Sequence, residues 1–433
     1  MYIKKLTIRN FRCFEETELE PTYPGRRASK NRPVPARLKN VNLLLGGNGT
    51  GKSSVFRALA LSVLAPVIRD SGFNADYSVH RKSGENGSSS PVNGLKLESA
   101  EVKAFLELHE ADSEVTPHGS GSREIAPGVI GQVIIQRKGD RDSIVSAAHT
   151  NAPRWDRIFY NDTPAFFLVG YGSGRRTERP EGYSESSRAP RYQRVATLFE
   201  EHVGLVPFNY GYLQLKDRGH LEEARNLLNA LLSEGVFLTD RVDGQNQLLF
   251  ESKGVLLPFS ALSDGYRAFG GWVWDLLLQM SRVMQASGLE QKFADIRGVV
   301  IIDEIDLFLH PEWQRTVIEQ VAGTFPLLQF FFSSHSPLVA GTLHPENIFV
   351  LEDGKVSQYQ ESIYGLTANQ VLTSSYFGLR STRAPLTGTL NGKAKRYFES
   401  RDSLVEAQEA EPRDKALEAV ERVRRMREET SAL

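Results

Sequence analysis

The sequence of 433 residues has one cysteine, Cys13, so no disulfide can form within the chain. It has no run of the roughly 18 to 20 apolar residues that a transmembrane helix needs. Its first fourteen residues alternate like a strand and lack the apolar core of a signal peptide. The formal net charge is only -1, which gives no overall positive field for nucleic acid. These absences predict a cytoplasmic protein without a membrane span, in a reducing compartment.

A glycine-rich turn stands between a short apolar run, Val41 to Leu45, and a stretch that has the pattern of a helix. The turn fits the phosphate-binding pattern G-x-x-x-x-G-K-[ST], whose backbone N–H groups surround a phosphate at a helix N-terminus. Its lysine is expected to reach the β- and γ-phosphates, and its serine to bind Mg²⁺. A chance glycine loop that caps a helix would lack this full set of fixed positions. The predicted nucleotide-binding residues are Gly46, Gly47, Asn48, Gly49, Thr50, Gly51, Lys52, Ser53 and Ser54.

A second motif places two acids, Asp303 and Glu304, directly after the apolar run Gly298 to Ile302. Continuous apolar runs are typical of buried parallel strands, and ligands bind at the carboxyl ends of such strands. We expect Asp303 to hold Mg²⁺ through water, together with Ser53. Glu304 is expected to act as the general base that polarises the attacking water. A buried strand that ends in acids for solubility is the alternative interpretation.

Two weaker patterns complete the set. The run Leu262, Ser263, Asp264, Gly265 precedes a helical stretch and, taken alone, could be an ordinary N-cap. His335 follows the apolar run Leu328 to Phe332, where a histidine can hydrogen-bond a γ-phosphate. A lone histidine is more often structural, and its place at the end of the strand after Glu304 favours the functional role.

These motifs, in this order, resemble those of the ABC-type ATPases of the SMC, Rad50 and RecF group. The resemblance covers residues 1–60 and 255–355 well and the middle of the chain poorly. It implies a nucleotide-sandwich dimer, in which the signature residues Leu262 to Gly265 complete the site of the other subunit. It also implies that His335 is the switch histidine, that Asp306 lies in the D-loop, and that Asn10 and Arg12 contact ribose or phosphate.

The chain departs from this group in two respects. Residues 65–250 offer no long coiled-coil arms, and no Q-loop is evident. Gln136 is one candidate for the Q-loop glutamine and for a role at the metal. The turn Tyr171 to Arg176 is another place where the γ-phosphate could be sensed.

Three stretches resemble the small ATPases of prokaryotic antiphage operons: Tyr171 to Arg176, Leu309 to Gln314 and Tyr364 to Gly378. The similarity is greatest to the Septu-type and retron-associated ATPases and extends to the overcoming-lysogenization-defect family. It implies a homodimer, or a higher oligomer of dimers, that works with a separate nuclease or toxin effector. After Val350 about 80 residues remain, without a Toprim pattern, and no cluster has the ligand spacing of an HNH or zinc site.

The predicted fold class is α/β: an ABC-ATPase phosphate-loop fold with a mixed or parallel core sheet. An N-terminal antiparallel β subdomain and an inserted helical lobe accompany that core. We expect four parts, namely residues 1–64 with the phosphate loop, 65–250 as the insertion, 251–380 as the second half of the core, and 381–433 as a helical tail. The tail, or the segment Tyr364 to Leu379, could dock the effector.

A RecF-like repair clamp on duplex DNA is the alternative function. The basic stretch Arg26 to Lys39 is its main support, as a candidate for DNA contact, although such stretches are usually solvated surface. A transporter subunit is the third alternative, and the RecF-like opening residues, Leu6 to Phe14, argue against it.

Overall fold

A computed structural model describes residues 1–26, 36–81, 99–109, 112, 129–150, 163–175, 190–233, 235–245, 247–287 and 292–382. The predicted tail helix, the turn residue Arg176 and most of the basic stretch Arg26 to Lys39 lie outside the described residues. Residues 1–380 form one compact unit. In the part of the chain that the structure describes, no helix is long and apolar enough to cross a membrane.

The strands of the described residues are, in chain order, β1 (Tyr2–Phe11), β2 (Phe14–Leu19), β3 (Val41–Leu45), β4 (Ser99–Glu107), β5 (Val129–Lys138), β6 (Arg141–Thr150), β7 (Leu168–Tyr171), β8 (Val236–Val242), β9 (Leu248–Ser252), β10 (Val255–Pro258), β11 (Gly298–Ile302), β12 (Leu328–Ser333), β13 (Ile348–Glu352) and β14 (Lys355–Ser357). The helices are α1 (Lys52–Val63), α2 (Ala65–Ile68), α3 (Pro190–Gln193), α4 (Phe208–Asp217), α5 (Leu221–Leu231), α6 (Asp264–Ser287), α7 (Pro311–Gln314), α8 (Val317–Thr324), α9 (Pro337–Ala340) and α10 (Ala368–Thr373).

The central sheet has the strand order β14-β13-β3-β12-β11-β7. Its strands are parallel except β14, which pairs antiparallel with β13. Every residue of β3, β11 and β12 is buried, which explains why most of their residues are apolar. Because parallel strands end at the same edge, the turns after β3, β11 and β12 meet there.

The second sheet is antiparallel, with the order β2-β1-β4-β5-β6. Helix α1 packs against its strands β4 and β5, and most α1 side chains are buried. A side chain at Gly131 on β5 would lie 1.9 Å from the Ser62 carbonyl oxygen of α1, so only glycine allows this approach. The helix that begins at the phosphate loop is thereby held between two sheets.

Two buried amides join the N-terminal residues to the central sheet. Gln329 on β12 accepts the Ile3 N–H at 2.7 Å and donates to the carbonyls of Ile3 and Thr22 at 2.9 and 3.0 Å. Asn42 on β3 accepts the Thr22 N–H at 2.7 Å and donates to its carbonyl at 2.9 Å. These bonds satisfy backbone groups that would otherwise be buried without partners.

The third sheet, β10-β9-β8, belongs to a lobe with helices α4, α5 and α6. The Trp274 indole of α6 donates to the Phe208 carbonyl at 3.0 Å and stacks on the Phe208 ring. Nearer the central sheet, the Tyr171 hydroxyl donates to the Asp275 carboxylate of α6 at 2.8 Å. Burial raises the pKa of both groups. Helix α6 is thus attached to the end of β7.

The predicted fold class is confirmed: a mainly parallel phosphate-loop core, an N-terminal antiparallel subdomain and a helical lobe. One predicted boundary differs from the structure. Residues 65–250 were expected to form an insertion, yet β7 from this stretch pairs with β11 and is an edge strand of the central sheet.

Candidate functional site

The phosphate loop connects β3 to α1. Gly46, Gly49 and Gly51 have φ values of 155°, 79° and 103°, which favour glycine. At Gly51 a Cβ atom would also lie 2.4 Å from the Cys13 sulfur and 2.7 Å from the Phe14 ring. The loop therefore needs glycine for both its backbone conformation and its packing. It ends at Lys52, where α1 begins with its free N–H groups and its positive dipole end.

Lys52 points back into this loop. Its ammonium group donates to the carbonyls of Gly46 and Gly47 at 2.7 and 3.0 Å. Burial lowers its pKa, while the nearby Asp303, Glu304 and Asp306 favour the charged form. The loop thus presents a cation beside backbone donors, which is the arrangement that phosphate binding requires.

The acid pair lies at the end of β11, and Asp303 uses both carboxylate oxygens. One accepts the Ser53 hydroxyl at 2.6 Å, and the other accepts the Ser333 hydroxyl. The hydroxyl oxygen of Ser333 in turn accepts the Glu304 N–H at 2.8 Å. Ser333 was not among the predicted residues, although its place at the end of β12 was visible in the sequence.

The donor set at Ser53 and Asp303 fits Mg²⁺, which prefers hard oxygen ligands and shares them with substrate phosphates. The two groups already lie within hydrogen-bond distance, one on α1 and one at the end of β11. Across the described ranges, no group of three or more His, Cys, Asp or Glu side chains is arranged to hold a metal ion, so the other ligands at this position would come from water and phosphate.

A cavity of about 280 Å³ joins these parts. It brings together four segments that are far apart in the sequence: the β1–β2 turn, the phosphate loop, the end of β11 and the end of β12. The lining residues are Arg12, Cys13, Asn48, Gly49, Gly51, Lys52, Ser53, Ser54, Asp303, Glu304 and His335. Ten of the residues predicted from the sequence therefore surround one space, and Cys13 is an addition to them.

Arg12 brings a further positive charge to this cavity. It lies in the turn after β1 with φ of 54°, and burial together with the charge of Arg57 lowers its pKa to about 10. Its buried Nε atom has no hydrogen-bond partner among the described residues. An arginine of this kind suits a negatively charged ligand.

Asn10 and Gln136 are among the predicted residues that do not line the cavity. The carbonyl of Asn10 accepts the His80 N–H at 2.8 Å, so Asn10 shapes the turn that carries Arg12. Gln136 lies on β5, where it pairs with Ser99 and Ser143 in the antiparallel sheet. The structure does not bring Gln136 to the cavity.

The predicted signature also lies outside the lining of its own cavity. Leu262 is buried, while Ser263 and Asp264 are exposed at the start of α6. A side chain at Gly265 would lie 2.6 Å from the Phe308 carbonyl oxygen, so the start of α6 packs on the segment that follows Asp306. Phe308 itself is 63% exposed. This surface is therefore open to a second molecule.

Arg175, in the turn predicted to sense phosphate, is buried behind the acids. Its guanidinium donates to the carbonyls of Asp303 and Glu304 at 2.5 and 3.0 Å. Arg175 does not line the cavity.

Two family models match the chain. One, described as "AAA domain, putative AbiEii toxin, Type IV TA system", matches residues 136–341 and includes the acid pair. The other, described as "AAA domain", matches residues 5–141 and includes the phosphate loop.

The chain is also similar to curated relatives and to solved structures. The Septu protein PtuA of Bacillus mycoides is 25% identical over 89% of this chain and 46% of its own length. The Retron Ec83 probable ATPase of Escherichia coli is 30% identical over 30% of this chain and 23% of its own length. The matches thus span less than half of these relatives. A crystal structure of an Smc head bound to the C-terminal winged-helix domain of ScpA covers 83% of this chain and 98% of its own, with a TM-score of 0.45 and 13% identity.

Proposed function

We propose that this chain is an ABC-type ATPase of the SMC, Rad50 and RecF group, and that it binds ATP with Mg²⁺ and hydrolyses it as a nucleotide-sandwich dimer. The nucleotide state of that dimer would regulate a separate nuclease or toxin effector in antiphage defence. The observation that carries the proposal is the single cavity shared by Lys52, Asp303, Glu304 and His335.

The position of each residue in the cavity suits the role proposed for it. The phosphate loop and the N-terminus of α1 donate N–H groups to the phosphates, and Lys52 exchanges its bonds to loop carbonyls for bonds to phosphate oxygens. Ser53 and Asp303 would hold Mg²⁺, which would supply positive charge to neutralise the phosphates. Glu304 accepts a proton from the attacking water, and His335 hydrogen-bonds the γ-phosphate.

The dimer completes the site. Ser263 and Asp264 are exposed, and no signature residue lines its own cavity, so a partner copy is needed to bring Ser263 and the start of α6 onto the phosphates. A helix N-terminus favours an anion, which gives the contact its chemical basis. Each cavity would then be closed by the other subunit.

Replacing Ser263 by arginine should prevent this dimer, because the long side chain would occupy the surface that receives the partner. With a slowly hydrolysed ATP analogue and Mg²⁺, the unmodified protein should double its mass in solution, and the Ser263→Arg protein should stay monomeric. Ser143→Arg places the same side chain on exposed β6 and serves as the control. A Ser263→Arg protein that doubles normally would contradict the shared site.

The effector role has its support in the relatives, a Septu protein and a retron ATPase. To test it, the chain and the proteins encoded beside it would be expressed in bacteria that are then challenged with phage. We expect the bacteria to be protected. Lys52→Ala should abolish this protection, whereas Lys216→Ala, which changes an exposed lysine on α4, should preserve it. Equal protection with both variants, or by the chain alone, would refute control of a separate effector by nucleotide.

The DNA clamp remains the second candidate, and the charges of β1 give it little support. Lys4, Lys5 and Arg9 lie 2.7, 2.7 and 2.8 Å from the carboxylates of Glu107, Glu18 and Glu16, respectively. These cations are therefore neutralised within the sheet. A mass that rises only with duplex DNA, and a DNA affinity that falls steeply with salt, would instead favour the clamp.

A further inference from the structure

We propose that Arg175 is a positioning residue for ATP hydrolysis, which holds the backbone of the acid pair so that Glu304 faces the attacking water. This inference rests on the proposed function, since it concerns the same hydrolysis. Arg175 is 6% exposed and lies behind the acids, outside the cavity. It therefore acts through Glu304 and has no contact with the nucleotide.

The guanidinium of Arg175 binds three carbonyls. One nitrogen donates to Asp303 at 2.5 Å and to Gly172 at 3.1 Å, and the other donates to Glu304 at 3.0 Å. The planar fork of arginine can hold two successive carbonyls at once, whereas the single ammonium group of lysine cannot hold them in the same geometry. Arg175 thus holds the carbonyls of both peptide groups that flank the Glu304 α-carbon. The Ser333 hydroxyl holds the N–H of Glu304 itself.

The backbone of Glu304 needs such support. Its φ is 50°, in the left-handed region that residues other than glycine rarely adopt. A strained conformation of this kind persists only when the surrounding contacts hold it, and such residues cluster at active sites. If the carbonyl contacts are lost, the backbone can relax, and the carboxylate then moves away from its position in the cavity.

The position of Arg175 is itself fixed from the other side. The turn 172–175 follows β7. At the end of that strand, the carbonyl of Tyr171 accepts the N–H of Asp303 at an N–O distance of 2.8 Å. Tyr171 is also hydrogen-bonded to Asp275 of α6. Arg175 therefore lies on a rigid support. Burial lowers its pKa only to about 10, so it remains a cation at neutral pH, and the three acids Asp303, Glu304 and Asp306 favour that charge.

The test compares Arg175→Met with Arg175→Lys. We expect the Met variant to lose about 100-fold in kcat, the size of effect seen when a catalytic group is misplaced by about 1 Å, with ATP affinity changed less than about threefold. The Lys variant keeps a donor and should recover part of kcat. The double variant with Glu304→Gln should be no slower than Glu304→Gln alone, because the two act through the same carboxylate.

A second readout is independent of turnover. If Arg175 acts only on hydrolysis, the Met variant mixed with ATP and Mg²⁺ should accumulate as a dimer. Arg191 provides the matched control: it is also buried and donates to two carbonyls, those of Ala165 and Phe166, at 2.7 and 3.3 Å. Arg191→Met should lower thermal stability to a similar extent and leave kcat of the folded protein near the starting value.

Different results would overturn different statements. If the unmodified protein hydrolyses ATP and Arg175→Met hydrolyses it at the same rate, the positioning role is refuted, and the proposed function still stands. An equal loss of kcat in Arg175→Met and Arg191→Met would show that Arg175 matters only for folding. An unmodified protein that binds ATP without any turnover would refute both the positioning role and the proposed hydrolysis.

Discussion

Replacing Glu304 by glutamine should lower kcat for ATP hydrolysis by about 10² to 10⁴, the usual contribution of a general base. The amide has nearly the same shape as the carboxylate, so the cavity and its affinity for ATP should change little. What is lost is the acceptor for the proton of the attacking water. Glu304 lines the cavity next to Asp303, while its N–H is held by Ser333, which places it for that role.

The same variant should accumulate as the ATP-bound dimer. Its mass in solution with ATP and Mg²⁺, measured beside its rate of phosphate release, checks both expectations. Glu312→Gln changes an exposed acid of α7 outside the lining of the nucleotide cavity and is the control. Normal hydrolysis by Glu304→Gln would assign the base to another residue, and a slow variant that stays monomeric would contradict the sandwich dimer.

Lys52→Ala should weaken ATP binding by about 100-fold. Removal of a buried, charged hydrogen-bonding group from an interface costs about 2 to 5 kcal/mol, and a tenfold loss of affinity corresponds to about 1.4 kcal/mol. Lys52 is 7% exposed and already lies against the loop carbonyls, so its ammonium group is close to where the phosphates would bind.

Titration with a fluorescent ATP analogue would measure this loss, with Lys216→Ala as the control for removal of an exposed lysine. Thermal unfolding should stay nearly unchanged, because the ammonium group of Lys52 gives up only two bonds to loop carbonyls. An affinity within a few-fold of the unmodified protein would mean that nucleotide does not bind at this loop.

The parts of the site that follow local rules were predicted from the sequence. A glycine loop between a strand and a helix, or two acids after an apolar run, needs only the neighbouring residues to be recognised. The parallel arrangement then explains why Lys52, Asp303 and His335 share a cavity. The resemblance to the Septu-type and retron-associated ATPases is confirmed by the Septu and retron relatives, and two AAA-domain family models match the segments with the phosphate loop and the acid pair.

The parts that depend on distant pairing could not be predicted. β7 has only four residues, so its sequence gives no indication of which sheet it joins. Gln136 follows an apolar run as a sensor residue would, but its strand belongs to the antiparallel sheet. The role of Arg175 depends on carbonyls 128 and 129 residues away, which no local pattern encodes.

The strand order of the central sheet also decides when this site can exist during synthesis. β3 carries the phosphate loop, but its neighbours β12 and β13 come close to 300 positions later in the chain. Ser53 and Asp303 are 250 residues apart. Such long-range pairing is slow to form, because the entropy of closing the loop is lost before the contacts are made. A ribosome-bound chain that has released only the antiparallel sheet and α1 exposes a bare phosphate loop without its acids. Nucleotide can therefore stabilise this protein only after β12 has emerged, and chaperone binding is expected to be strongest before that point.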